Sequence, residues 1–156
     1  MTQKKAQEKH SCKTYLAVCF DIDIQKNAEL LRERRDCHYC LPEEIGIFNK
    51  REVEEYIVGE LGITPEWNRH HFVIGYNENY NIDVNEMIRV TLKDLFGKED
   101  KINELCKNFG VTVVLEIVPY IITESDVPSQ ILSLDRDIIE FLYQSGVEMD
   151  LDYYFM

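Results

Sequence analysis

The sequence lacks the long apolar run that a membrane-spanning helix needs. No stretch approaches the roughly 20 consecutive apolar residues that cross a bilayer. The polar start, MTQKKAQEKHSCK, has no apolar segment typical of a signal peptide. The five cysteines form no dense framework, which favours a reducing compartment. We therefore predict a cytoplasmic protein with no membrane partner.

Basic residues are scarce relative to acidic ones. The chain has 17 Lys and Arg against 29 Asp and Glu, a net charge of −12. Nucleic-acid binding needs clustered Lys and Arg against the phosphates, so the balance argues against a nucleic-acid partner. A strongly acidic protein instead associates quickly with basic partners. The charge therefore favours a basic protein as the partner, if there is one.

Catalytic sequence motifs are also missing. The chain has no Gly-rich phosphate loop, no GxSxG or HExxH motif and no paired-acid motif. We therefore predict no catalytic residue and no cofactor. An enzyme or small-ligand protein, with a pocket between a sheet and its helices, stays open as an alternative, because scattered residues leave no motif.

One segment has the spacing of metal ligands. Cys37 and Cys40 form a CxxC motif in CHYC, but zinc needs four ligands and no second pair follows. His10 and Cys12 could complete a site only from the N-terminal segment. We interpret the CHYC segment as a polar linker and predict no metal ligand, with a metal-binding module as a further alternative.

Apolar periodicity predicts the order strand, helix, strand, two inserted helices, strand, helix, strand. This order indicates an α+β fold, a ferredoxin-like α/β sandwich with helices on one face of a mainly antiparallel four-stranded sheet. We expect a flexible tail at 1–13 and a single domain at 14–156, with an insertion at 25–48. The strands are predicted at 14–24, 70–76, 111–122 and 147–155. Helix caps are predicted at Asn49, paired with Glu52, and at Asp83, and helix ends are predicted at Gly110 and Gly146.

The last twelve residues, SGVEMDLDYYFM, alternate between apolar and acidic side chains. As a strand, they point apolar residues from Val147 to Phe155 to one side and carboxylates to the other. The first strand alternates in the same way, and a ferredoxin-like order makes the two strands neighbours. We therefore predict one acidic patch on the open sheet face, with two tyrosines in it. The predicted partner-binding residues are Asp21, Asp23, Glu148, Asp150, Asp152, Tyr15 and Tyr154.

Three interpretations of this acidic patch are open. Charges on an exposed strand prevent unwanted pairing between sheets, and this edge protection is the most general explanation. Aromatic residues amid one sign of charge suit a docking surface for a basic protein. Clustered carboxylates also bind divalent cations, although no calcium-loop spacing is present.

The C-terminal third, ILSLDRDIIEFLYQSGVEMDLDYYF, resembles the end of a bacterial family of unknown function, the one numbered 4279. LGITPEW is similar to that family's turn after the second helix, and LKDLFGKEDKINEL stands where the family has paired helices. The resemblance covers about Lys50 to Phe155 and implies no catalytic residues. Our functional prediction is a non-enzymatic binding domain. By analogy with small acidic immunity proteins, it would occlude a basic partner.

Overall fold

The structure is a computed structural model in which one mixed sheet carries helices on one side. Its elements follow the predicted alternation of strands and helices, with two short strands added. It describes residues 10–23, 25–33, 41–80, 83–123 and 132–156. The elements are β1 (Ser11–Phe20), α1 (Ala28–Glu33), a 3-10 turn (Pro42–Ile45), α2 (Lys50–Tyr56), a π-helical turn (Ile57–Leu61), β2 (Glu66–Asn68), β3 (His71–Tyr80), α3 (Val84–Leu92), α4 (Glu99–Phe109), β4 (Val111–Ile121), α5 (Arg136–Ser145), β5 (Glu148–Leu151) and β6 (Tyr154–Phe155).

The strands lie in the order β2-β3-β1-β4-β5, and β6 continues beyond β5 along β4. Antiparallel pairs join β2 to β3, β3 to β1 and β1 to β4, whereas β4 pairs in parallel with β5 and β6. The predicted α+β class is confirmed. The predicted order is wrong at one point, because β4 separates the first strand from the last. The cause is the β4–α5–β5 connection, a helical crossover that brings β5 back parallel to β4.

Pro119 interrupts the pairing between β4 and the C-terminal segment. The N–H of Asp152 donates to the Ile117 carbonyl at 2.9 Å, and the N–H of Met156 donates to the Ile121 carbonyl at 2.8 Å. Pro119 lies between Ile117 and Ile121 and has no N–H to donate to the C-terminal segment. The strand therefore stops after Leu151 and resumes as β6.

The main core lies between the sheet and the helices. One cluster joins alternate strand residues, such as Leu16 and Leu115, to apolar residues from each described helix. We call this side of the sheet the helix-covered face. A Cβ at Gly75 would meet the Thr91 carbonyl oxygen at 2.4 Å, so α3 lies almost directly on β3. The hydroxyls of Thr14 and Thr91 form a buried hydrogen bond with their oxygens 2.5 Å apart, between β1 and α3.

The N-terminal boundary differs from the expected one. β1 begins at Ser11, so residues 11–13 of the predicted tail belong to the sheet. His10 is also buried, and its Nδ1 accepts a hydrogen bond from the Ile122 N–H at 3.0 Å. Residues 1–9 lie outside the described part of the chain. Among the described helices, none has both the length and the apolarity needed to cross a membrane.

Candidate functional site

The sheet face opposite the helices is the candidate site, and we call it the open face. Strand register assigns its residues, because side chains alternate between the two faces along each strand. Tyr15 lies between Tyr76 on β3 and Glu116 on β4, and Glu116 is in turn paired with Asp150 on β5. The open face therefore carries aromatic side chains over its middle strands and acidic ones toward β5.

Four carboxylates gather where β4 meets the C-terminal segment. We call Glu116, Glu148, Asp150 and Asp152 the carboxylate cluster. Glu116 and Asp150 are register partners, and Glu148 lies opposite Val114, two register pairs away on the same face. Burial raises the pKa of Glu116 to about 7, helped by a hydrogen bond to Asp150 and by the charges of Asp150 and Asp152.

The carboxylate cluster makes no ion pair within the described residues. The ion pairs found there lie elsewhere, for example Arg89 with Asp135 and Lys101 with Glu60. Like charges on neighbouring strands repel one another, and this repulsion adds to the effect of burial in raising the pKa of Glu116. A cation placed beside Glu116 would relieve this repulsion. The cluster is therefore electrostatically suited to a positively charged group from outside.

Tyrosines line the carboxylate cluster. The rings of Tyr120 and Tyr154 stack with their centroids 5.3 Å apart, and the Nζ of Lys13 lies 5.7 Å from the centre of the Tyr120 ring. A hydrogen bond to Asp152 raises the pKa of Tyr154. Burial, with the charge of Glu116 second, raises the pKa of Tyr15 to about 12. The phenols of Tyr15 and Tyr154 therefore stay protonated at neutral pH and can donate hydrogen bonds.

The middle of the open face is apolar. Ala17 and Val118 are buried there although neither belongs to the main core. Val73 and Val114, the register partners of Ala17, are half-buried. A cleft of about 330 Å³ opens at one side of this centre. Its lining residues are Lys13, Tyr15, Glu66, Asn68, Val73 and Tyr76.

His71 and Cys19 occupy the other end of the open face and are register partners. The His71 ring stacks on Tyr15 with centroids 6.4 Å apart. Burial, then the nearby His70 and Arg69, lowers the pKa of His71 to about 4. Burial, reinforced by the charges of Glu116 and Glu148, raises the pKa of the Cys19 thiol to about 11. At neutral pH the imidazole and the thiol are both uncharged, so this end lacks an activated nucleophile.

The structure separates the predicted site residues into two groups. Tyr15, Glu148, Asp150 and Tyr154 lie on the open face. Beside it, Asp152 accepts a hydrogen bond from Tyr154, and its charge acts on Glu116.

Asp21 and Asp23 do not join them, because β1 ends at Phe20. Asp23 caps a turn instead, and its Oδ1 accepts from the Lys26 N–H at 2.9 Å. Tyr15 is the register partner of Glu116, and the five residues from there to Phe20 carry the chain roughly 17 Å farther along the strand. The prediction of one patch including both aspartates is therefore wrong.

Two residues of the site were not among the predicted ones. Tyr120 stacks on Tyr154, and Glu116 is the centre of the carboxylate cluster. Both follow from the alternation along β4, since Thr112, Val114, Glu116, Val118 and Tyr120 share one face.

The candidate metal ligands do not form a site among the described residues, where no group of three or more His, Cys, Asp or Glu side chains has a geometry that could hold an ion. Cys12 is buried on the helix-covered face, and the Nδ1 of His10 is used by the main chain. The CHYC segment of Cys37 and Cys40 lies outside the described residues.

Comparison with known proteins identifies the family of the chain. The family model described as Domain of unknown function (DUF4279) matches residues 55–156. The chain belongs to this family. The match includes β2 to β6 and all of the carboxylate cluster, whereas β1, the strand between β3 and β4, precedes it. No curated protein and no solved structure matches the chain.

Proposed function

We propose that this chain is a non-enzymatic protein-binding domain that holds a basic partner against its open face. The observation that carries the proposal is the carboxylate cluster, which has no ion pair to Lys or Arg within the described residues. A Lys or Arg from a partner would supply the missing charge. Bound there, it would favour the ionised form of Glu116, so binding and proton release from Glu116 are linked.

The tyrosines give the proposed contact its area and specificity. Tyrosine combines a large apolar ring with a hydroxyl that donates or accepts, and it is enriched at interface centres. The exposed rings of Tyr76 and Tyr154 flank the half-buried Tyr15 and Tyr120. An arginine brought to the Tyr120–Tyr154 stack would also gain cation–π attraction. The face thus offers apolar area and acceptors together.

Net charge contributes mainly to the rate of association. At −12 the protein attracts a basic partner over distances comparable to the Debye length, which is about 8 Å at physiological salt. Added salt is expected to slow association more than it speeds dissociation. By covering a basic cleft in this way the protein would block it, which is the action of an immunity-type protein. The free thiols of Cys12, Cys19 and Cys106 suit the cytoplasmic location that we propose with it.

The test compares two double variants with the same net charge. Asp150→Lys with Asp152→Lys changes the carboxylate cluster, and Asp94→Lys with Glu140→Lys changes exposed positions on the helix side. Each protein is used to capture binding partners from lysate of the source organism. We expect a basic protein that the wild type and the helix-side variant retain and the cluster variant loses. Equal retention by all three, or loss from both variants, would contradict the proposal.

The cleft beside Tyr15 supports a second candidate function, binding of a small polar molecule. Its volume lies at the lower end of ligand pockets, and it offers an ammonium on Lys13, a carboxylate on Glu66 and an amide on Asn68. Native mass spectrometry of the purified protein tests this function. A bound mass that disappears in Val73→Trp, which fills the cleft, supports it. The absence of any bound mass from the wild type argues against it.

A further inference from the structure

Among the described strands, β5 forms an edge of the sheet. β5 ends the strand order, and no described strand pairs with it on the side away from β4. The Asp152 N–H bonds to Ile117, and the main-chain groups of successive strand residues point alternately to the two sides. The N–H and C=O groups of Met149 and Leu151 therefore point outward. An edge of this kind can accept another strand.

The two faces of this edge differ in chemistry. Met149 and Leu151 lie on the helix-covered side in register with Leu115 and Ile117, but both are exposed. Glu148 and Asp150 point to the open face. A strand laid along β5 would meet apolar side chains on one face and carboxylates on the other. Its matching sequence alternates apolar and basic residues.

We propose that β5 binds its partner by strand addition, pairing with an extended segment in which apolar residues alternate with Lys or Arg. The inference rests on the proposed function, and it specifies which part of the partner binds and how. The main-chain groups of Met149 and Leu151 supply affinity for any extended backbone, and the alternating side chains select the sequence. The partner's basic residues reach the carboxylate cluster from this edge.

A second copy of the chain does not fit this edge. Pairing β5 with its own copy would bring Glu148 and Asp150 against the same acidic residues, and like charges opposite one another destabilise a strand pair. Each copy also carries a net charge of −12. Edge protection accounts for the charges of Glu148 and Asp150, but it does not account for the exposed apolar side chains of Met149 and Leu151. The occupant is therefore a basic segment of another protein.

The test uses a defined probe, a blocked peptide of nine residues in which Lys and Val alternate, with a Glu–Val peptide as its control. Fluorescence anisotropy measures affinity for wild type, Leu151→Ala and Leu151→Pro. Both variants lose the leucine side chain, but only proline removes the outward N–H. Because that N–H makes no bond within the sheet, proline is tolerated at this edge position. We expect Leu151→Pro to bind about tenfold more weakly than Leu151→Ala, the effect of one lost hydrogen bond.

A second measurement on the wild type does not depend on the folding of a variant. Peptide binding is expected to slow hydrogen exchange of the Met149 and Leu151 amides, which are exposed in the free protein. Equal affinities of the two Leu151 variants, or peptide binding without this protection, would overturn strand addition. So would failure of the Lys–Val peptide to bind wild type. None of these results decides the proposed function, which the capture experiment tests without the peptide.

Discussion

Two pairs of apolar residues lie side by side on the same face of the sheet and differ in their surroundings. Leu115 and Ile117 on β4 are 0% exposed, whereas their register partners Met149 and Leu151 on β5 are 41% and 37% exposed. The reason is the helix layer. α4 packs on β4, whereas α5 packs mainly on α4. Alternation along a strand therefore predicts which way a side chain points, and the neighbouring layer decides whether it is buried.

The largest expected effect comes from shortening the two partners of one register pair. Ile117→Ala leaves a cavity in the core and is expected to lower the free energy of unfolding by about 2–5 kcal/mol. Leu151→Ala removes a side chain already in partial contact with water, and we expect a loss below about 1 kcal/mol. Urea unfolding of both variants measures the difference. Equal losses would mean that β5 is covered as β4 is.

The second comparison adds a methyl group at a glycine under a helix and at a glycine on the surface. Gly75→Ala places its Cβ 2.4 Å from the Thr91 carbonyl, and such overpacking typically costs about 1–3 kcal/mol. Gly59 is an exposed position of the π-helical turn, and a Cβ added there would meet no atom within 4 Å. Because alanine is the better helix former, we expect Gly59→Ala to stabilise by about 0.5–1 kcal/mol. Thermal midpoints that move in opposite directions are the predicted result, and a stabilising Gly75→Ala would contradict the close packing.

On the open face, His71 is expected to make stability fall in mild acid. Its folded pKa of about 4 lies below the ordinary 6.5, so the unfolded chain binds the proton more readily. The stability is complete above pH 6.5 and is lost as pH falls toward 4, by about 1–2 kcal/mol for a partly exposed ring.

Urea unfolding between pH 4 and 7 measures this dependence. His71→Phe keeps a ring against Tyr15 and removes the titration, so its profile should be flatter than that of wild type. An unchanged slope would assign the effect to another group, such as His70, whose pKa burial also lowers.

Glu116 is expected to have the opposite and smallest effect. Its folded pKa of about 7 lies above the ordinary 4.5, so the unfolded chain releases the proton first and stability falls as pH rises from 4.5 to 7. Solvent screening at this half-exposed group reduces the loss to about 1 kcal/mol.

The matched variant is Glu116→Gln, which removes the charge and the titration. Urea unfolding measures its free energy of unfolding. We expect this free energy to exceed that of wild type at pH 8 and to equal it near pH 4. Lower stability of the variant at pH 8 would contradict the account of an uncompensated cluster.

Local patterns of the sequence predicted much of the structure. The alternation along β1 was confirmed to Phe20, and the predicted helix ends at Gly110 and Gly146 were confirmed, each glycine having a positive φ. The predicted cap at Asp83 was also confirmed, since its side chain accepts from the Asn85 N–H. Each of these features depends on residues close together in the sequence.

Features that depend on distant residues were not predicted. The place of β5 beside β4 depends on which strands pair after the chain has crossed through α5. The predicted capping pair at Asn49 is absent because its Nδ2 donates to the Phe109 carbonyl, 60 residues away. Asp21 lies outside the site because the apolar alternation of the sequence continues past Phe20, where β1 ends. In the first two cases a tertiary contact overrode a plausible local pattern, and in the third the strand ended before the pattern did.

The most direct test of the open face as a binding surface is hydrogen–deuterium exchange of the wild type, with and without the partner retained in the capture experiment. We predict slower exchange with the partner at 111–121 and 148–156, where the carboxylate cluster lies. We predict no change in α3, α4 or α5. Protection confined to those helices, with β4 and the C-terminal segment unchanged, would contradict the account.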